Sequence, residues 1–464
     1  MLVAKKAVFL LLVFFFFCST SVFADQASLE ETVRQLQKRI EALEKKVSEQ
    51  SQVIAAKNTE DQLQEKKITE YESKLSEFEV KLHRVPGETM QIMEGLELGA
   101  GMTMIVQGAN NVNNATSGVD KKKNRTDGSY SADITLAREF KEVDGRAFLH
   151  LEGGQGSGME DDLTVYSNVN RDADDHENVR VTELWYEQDL FKDKVALTFG
   201  KLDPTAYFDQ NDVANDETTQ FLGRIFRNSP ALEFPDNTAG IRVAYMPREW
   251  VELGYGMFNS NSDNWSKMFD NTFNIGQVHF KTNFLNLAGN YRFYGWNNNA
   301  YHRKWMDASK DKENSYGFGL SFDQKVTDTV TAFCRYGWQD PSVYNPDSAF
   351  MATGDLNYSL AHSWSSGFQV EGKPWGREND VLAFAVGQVF PSNKYKKTEI
   401  TDNIISAPRS AKAEGHLEAY YKIHINKHLA ISPDFQYIWN PFGTDIVEDT
   451  NGIFVGGMRA QLDF

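Results

Sequence analysis

The chain is short of cysteine, of positive charge and of long apolar runs. Of its 464 residues two are cysteines, Cys18 and Cys334. The first lies in a segment expected to be removed, so neither a disulfide framework nor a Cys-rich metal site is available. Beyond the first 25 residues no apolar run is long enough for a membrane-crossing helix, which needs about 20 residues. Lys and Arg number 48 against 65 Asp and Glu, a formal charge of −17, and that balance argues against a nucleic-acid partner. Catalytic signatures are missing too. The nine histidines are scattered, neither His-Glu-x-x-His nor Gly-x-Ser-x-Gly occurs, and Gly99-Ala-Gly101 and Gly154-Gln-Gly156 are too short to cradle a phosphate. His362 beside Ser363 and Ser365 is a weak start for a lipase. No enzyme, cofactor or metal is expected. What is plentiful is glycine (33) and aromatics (Phe 32, Tyr 18, Trp 9), the composition of a large strand-rich chain with many short turns.

Two segments precede the strands. Residues 1–24 carry Lys5 and Lys6, an apolar stretch from Ala7 to Phe17 and the small-residue end Val22-Phe23-Ala24, a secretory signal cut after Ala24. Phe15-Phe16-Phe17-Cys18 lacks the small residues expected before a lipidated cysteine. Residues 25–85 read as a coiled coil. Val33, Ile40, Val47, Ile54, Asp61, Ile68, Leu75 and Leu82 form one seam position, and Leu29, Leu36, Leu43, Gln50, Lys57, Gln64, Tyr71 and Phe78 the other. An apolar repeat of 3.5 residues puts both sets on one stripe that seeks partner helices; at about 1.5 Å per residue the rod would reach about 80 Å. Self-association is expected, a trimer weakly ahead of a dimer. Val85-Pro86-Gly87 ends the helix.

From about Ile92 the helical period gives way to alternating segments of about ten residues, separated by turns that are alternately short and long. In the last one Phe454, Met458, Ala460, Leu462 and Phe464 share a face opposite Arg459, Gln461 and Asp463. One face suits lipid, the other water. The fold class predicted is all-β membrane: a sixteen-stranded antiparallel transmembrane β-barrel over residues 86–464, preceded by the α-helical coiled coil. Strands are expected near 96–107, 129–141, 145–155, 179–190, 194–204, 236–247, 250–260 and 271–282, then near 285–296, 314–325, 328–339, 360–373, 380–390, 415–426, 428–440 and 452–464. Sixteen strands enclose a space wide enough for water, so a pore is the default function. With the coiled coil in the periplasm, the short turns fall inside and the long loops outside.

Residue order supports a family likeness. Leu197-Thr-Phe-Gly-Lys-Leu-Asp-Pro204, Phe208-Asp209, Asn215-Asp216 and Gln220-Phe221-Leu222 resemble the carbohydrate-selective porin family, OprB type, as do Glu418-Ala-Tyr-Tyr-Lys-Ile423, Ile431-Ser-Pro-Asp-Phe-Gln-Tyr-Ile438, Asn440-Pro441 and the closing Val455-Gly-Gly-Met-Arg459 to Phe464. The resemblance implies a sixteen-stranded outer-membrane channel of a Gram-negative bacterium for passive uptake of sugars and similar small neutral solutes. Two alternatives stand beside it: a general or ion-preferring porin, and a structural tether from outer membrane to cell wall that uses the barrel as an anchor.

Selectivity is expected in the third long loop, Thr205 to Pro235, if it folds into the lumen. Tyr207, Phe208, Phe221 and Phe226 offer flat surfaces for sugar rings, while Asp209, Asn211, Asp212, Asn215, Arg224, Arg227 and Asn228 offer hydrogen-bond partners. From the family match Asp209, Asn215, Gln220 and Phe221 are expected to set the fold more than to read the solute. Arg242, Arg292, Glu371, Glu418, Lys422 and Gln436 fall on the polar face of the wall by alternation. Residues 29–84 carry 11 Lys and Arg against 12 Asp and Glu, so the negative charge sits in the barrel and loops, against a phosphate-selective pore. The acidic runs Glu160-Asp161-Asp162 and Asp172 to Asp175 read as solvated external loop, with bridging to lipopolysaccharide as a second reading. Partners expected are small neutral solutes, outer-membrane lipid and lipopolysaccharide, further copies of the chain and peptidoglycan.

Overall fold

The computed structural model describes residues 95–113, 124–173, 176–260, 265–284, 286–305, 307, 313–345, 352–353, 356–397, 410–444 and 452–464. The signal and the coiled coil lie outside the described residues. Within them sixteen long strands form one closed antiparallel sheet. The first eight are β1 (Leu96–Ala109), β2 (Arg125–Phe140), β3 (Gly145–Gln155), β4 (Arg180–Leu190), β5 (Val195–Leu202), β6 (Thr238–Arg248), β7 (Val251–Asn259) and β8 (Thr272–Phe284). The second eight are β9 (Leu287–Lys304), β10 (Glu313–Lys325), β11 (Val330–Gln339), β12 (Leu360–Glu371), β13 (Val381–Pro391), β14 (Glu414–His424), β15 (Leu429–Trp439) and β16 (Ile453–Asp463). Each pairs with its sequence neighbour, and β16 returns to β1 with Ile105 opposite Arg459 and Gly101 opposite Asp463. Closure leaves no open edge, which a sheet in lipid cannot tolerate.

Two strands outrun their expected bounds. β9 continues to Lys304 rather than ending near 296, and β2 begins at Arg125 rather than 129. Apolar alternation marks only the part of a strand that meets lipid. Hydrogen bonding continues past it: Arg303 and Lys304 pair with the short strand Val343–Tyr344.

Alternation sorts the two faces as lipid and water require. Met104, Val106, Ile134, Leu184, Phe199, Ile241, Leu253, Phe293, Phe318, Phe368, Phe435 and Met458 point outward and are exposed. Thr103, Gln107, Ser321, Arg335, Ser363, Glu418, Gln436 and Arg459 point inward and are buried. Cys334 lies on the outer face, between buried Phe333 and Arg335.

Buried inward residues mean that something fills the barrel, and that is two loops. The first, residues 156–179 between β3 and β4, starts at Gly156 with φ +93°, where a Cβ would meet the Gly128 carbonyl at 2.3 Å. Only glycine makes that turn without strain. The second, residues 203–237 between β5 and β6, packs on a wall whose inward positions are small. A Cβ on Gly256 would meet Phe208 at 2.7 Å, one on Gly337 would meet Ser229 Oγ at 2.1 Å, and one on Gly387 would meet Ile225 at 2.9 Å.

Candidate functional site

Loop 203–237 turns inward at Asp203, whose carboxylate accepts the Thr205 amide at 2.8 Å. Asp209, at φ 56°, is fully buried and receives Arg335 Nε at 3.0 Å and the Ser229 amide at 2.8 Å. Burial pushes the Asp209 carboxyl up, and Arg335 pulls it back. The remaining Arg335 nitrogens donate to the carbonyls of Phe226 (2.5 Å), Asp209 (2.9 Å) and Ala214 (3.0 Å), so one side chain on β11 fastens three points of the loop. Asn211 donates to Ser321 and the Phe322 carbonyl on β10. Asp212 meets Arg292 on β9 at 3.2 Å, and Arg292 also meets Asp323 at 2.5 Å. Glu418 on β14 accepts the amides of Leu222 (2.6 Å) and Gly223 (2.9 Å), and Arg459 on β16 donates to the carbonyls of Glu217 and Gln220. These partners all point inward from the wall. The loop therefore lies inside the barrel.

Loop 156–179 fills the space beside it. Glu414 on β14 accepts the amides of Tyr166 and Ser167, and Gln107 and Gln436 donate to the Val169 carbonyl. The two loops join directly, Arg171 N to Leu222 O at 2.9 Å and Arg224 N to Asn168 Oδ1 at 2.9 Å. This corrects the reading of the acidic runs as solvated. Glu160 Oε1 accepts the amides of Val169 and Asn170, and burial pushes its carboxyl up to about 7. Asp172 is buried against Ser131, and burial raises it well above the usual carboxylate range. Asp161, bonded to Ser157, stays exposed.

The loops cover the wall unevenly. From β9 round to β16 the inward side chains at mid-barrel are buried, whereas on β2 to β4 Asp133, Phe148, His150, Glu183, Trp185 and Glu187 are only partly buried. An inward side chain that is not buried faces the lumen, so the open passage runs between the β2–β4 wall and the near face of loop 203–237. Ion pairs line it: His150 with Asp133 (2.8 Å) and Glu183 (3.7 Å), Arg242 with Glu187 (3.3 Å) and Glu252 (3.3 Å), and Lys281 with Glu252 (3.1 Å). From the loop, Arg227 pairs with Glu217 and with Asp203. Tyr207 lies under Arg242, 4.6 Å from guanidinium carbon to ring centroid. Trp185 stacks on Phe148 at 5.0 Å and donates its Nε1 to Glu183.

The residues expected to touch a solute separate into two groups. Phe208 (1 % exposed), Asp209, Asn211, Phe221 and Phe226 are buried between loop and wall. Phe221, for instance, packs on Phe226, Phe333 and Tyr420. Asn228 is buried beside Asp209, Asn215 is tied to Gln220, and Arg224 is half-buried under loop 156–179. Asp212, whose side chain is 59 % exposed, and Arg227 and Tyr207, both partly exposed, reach the lumen. Among wall residues Arg242 lines the passage, Arg292 and Glu418 are buried under the loop, and Glu371 and Lys422 sit half-buried near the short-turn end. Not foreseen were Asp133, His150, Glu183, Trp185, Glu187, Glu252, Lys281 and Arg335. A β-bulge between His150 and Leu151 shifts the β3–β4 register, which blurs the alternation of β4.

The model of the carbohydrate-selective porin, OprB family, matches residues 121–464. Among solved structures, OprB of Pseudomonas putida superposes at TM-score 0.64 with 16 % identity, over 80 % of this chain and 94 % of that one. The outer-membrane channel DcaP of Acinetobacter baumannii superposes at 0.48 with 10 % identity, over 80 % of this chain and 98 % of that one. No curated protein matches the chain.

Proposed function

The chain belongs to the carbohydrate-selective porin, OprB family, and forms an outer-membrane channel for passive diffusion; we propose that small neutral sugars cross it between the β2–β4 wall and loop 203–237. One observation carries this reading. Loop 203–237 narrows the barrel but leaves a strip where carboxylates and cations face one another around Tyr207, Arg227 and Arg242. Such a strip offers both donors and acceptors to sugar hydroxyls, and its crossed charges favour polar neutral molecules over ions of a single sign. From the loop, Asp212 and Arg227 contact the solute, while Phe208, Asp209, Asn211 and Phe226 support the loop from behind.

The test is single-channel conductance of the refolded protein in a planar bilayer, titrated with maltodextrins, glucose and phosphate. Sugars should block the current saturably while phosphate leaves it unchanged. Ohmic current indifferent to sugar would assign a general or ion-preferring porin instead, and an absence of current would favour the tether.

The heptad seam of residues 29–82 supports a second proposal, that copies associate through a periplasmic coiled coil, as trimers ahead of dimers, with its far end reaching the peptidoglycan. Sedimentation of the solubilised full chain beside one lacking residues 29–82 reads this directly. The idea fails if both sediment alike.

A further inference from the structure

We infer that the bore of the channel is set from the covered wall, by Glu414, His416 and Glu418, three successive inward positions of β14 that act as positioning residues for both lumen loops. The inference rests on loop 203–237 narrowing a conducting channel. None of the three lines the open strip, for all are fully buried. They meet loop backbone at the seam where the loops join. Glu418 uses one oxygen for Leu222 N and the other for Gly223 N. Glu414 takes Tyr166 N, Ser167 N and, from the loop after β15, Phe442 N. Between them His416 Nδ1 meets the Ser167 hydroxyl at 2.9 Å, and its Nε2 meets Gln436 Oε1 at 3.0 Å.

Main-chain amides inside a dry contact must find acceptors, and a carboxylate bonded to two of them holds tightly. Loop 203–237 has no regular structure near this point beyond the single helical turn Arg224–Arg227, so Leu222 and Gly223 gain their acceptors from the wall. The fit is close: a Cβ at Gly223 would meet Glu418 Oε2 at 2.9 Å and His416 Cε1 at 3.0 Å. Because Arg171 N and Arg224 N tie the loops to each other at the same seam, releasing Glu418 loosens both there. The released loop backbone withdraws toward the mouth, which widens the open strip.

The experiment is the conductance of Glu418→Ala, in the full chain carrying Cys334→Ala, with heat-modifiable gel mobility as the check that the barrel has closed. The expected result is at least a doubling of mean conductance with added open-channel noise. A reversible lock supplies the second readout. Ser229 Oγ and Ser363 Oγ are 3.1 Å apart across the loop–wall contact, so Ser229→Cys with Ser363→Cys, oxidised, should return the Glu418→Ala channel to its quiet low-conductance state, and reductant should release it again. A closed Glu418→Ala barrel with wild-type conductance overturns the inference, as does an opened channel that the oxidised lock leaves open. If Glu418→Ala does not close, Gly223→Val tests the same contact from the loop side, with the same two outcomes. Silence of the wild-type channel would instead strike at the diffusion-channel reading itself.

Discussion

An Arg335→Met channel should lose about 3–5 kcal/mol of unfolding free energy, the scale for removing one partner of a buried ion pair, and should conduct more than the wild type. The loss arises on the loop side. Arg335 and Asp209 are both almost wholly buried, and methionine fills most of the volume without replacing any of the donors. Asp209 then retains the Ser229 amide but not its cation, and the carbonyls of Phe226, Asp209 and Ala214 lose their donors together. Each orphaned buried group carries its own desolvation cost. Urea unfolding in detergent or lipid measures the first effect and planar-bilayer recording the second. The double variant with Asp209→Asn should be less destabilised than Arg335→Met alone, since no uncompensated carboxylate remains. A loss below about 1 kcal/mol, the scale of an exposed pair, together with unchanged conductance would show that Arg335 does not hold the loop.

Legibility follows the physics of each face. The sixteen strands were readable because lipid permits only apolar side chains on one side and closure demands antiparallel neighbours, so Phe454 against Arg459 already encodes the last strand. The loops were not readable, because their contacts are remote in sequence: Glu418 meets Leu222 across 196 residues and Arg335 meets Asp209 across 126. Phe208 and Phe226 looked like sugar-stacking surfaces because an aromatic, polar loop near a pore suggests a solute. The Phe208 ring instead fills the space above inward Gly254 and Gly256, and the Phe226 ring packs on Phe221 and His416. That signal was present in the sequence. Inward positions on β6, β7, β10, β11 and β13 include Gly240, Gly256, Gly319, Gly337 and Gly387, while mid-barrel inward positions on β2 to β4 include Asp133, His150, Glu183, Trp185 and Glu187. Inward glycines mark wall on which a loop packs, whereas a charged inward residue is ambiguous, since Arg292, Arg335, Glu418 and Arg459 are buried under the loops and Asp133, Glu183 and Glu187 are not. Glu160 and Asp172 deceived for a related reason, since an acidic run reads as solvated until the donors that satisfy it, backbone amides for Glu160 and the Ser131 hydroxyl for Asp172, are known.

The same asymmetry predicts the ionic character of the passage. Its partly exposed carboxylates, Asp133, Glu183, Glu187, Asp203, Asp212, Glu217 and Glu252, outnumber the cations they pair with, Arg227, Arg242, Lys281 and Arg292, and still do so with His150 counted as charged. The wild-type channel should therefore prefer potassium over chloride in reversal-potential measurements across a salt gradient, even while its solute is a neutral sugar. Replacing Glu183 and Glu187 together by glutamine should remove most of that preference. A unit charge about 6 Å from a passing ion in water contributes about 0.7 kcal/mol, or about threefold in local cation concentration, so two such charges amount to about tenfold at low salt. At 0.1 M the Debye length is about 10 Å, and the effect should shrink as salt rises. Glutamine keeps the length and one acceptor oxygen, and Arg242 keeps Glu252, so the loop and the bore should stay as they are. Conductance should change little while selectivity falls. A double variant that keeps wild-type selectivity would place the ion path away from the β2–β4 wall, and one that gains conductance as sharply as Glu418→Ala would mean that these carboxylates hold the loop and do not face the stream.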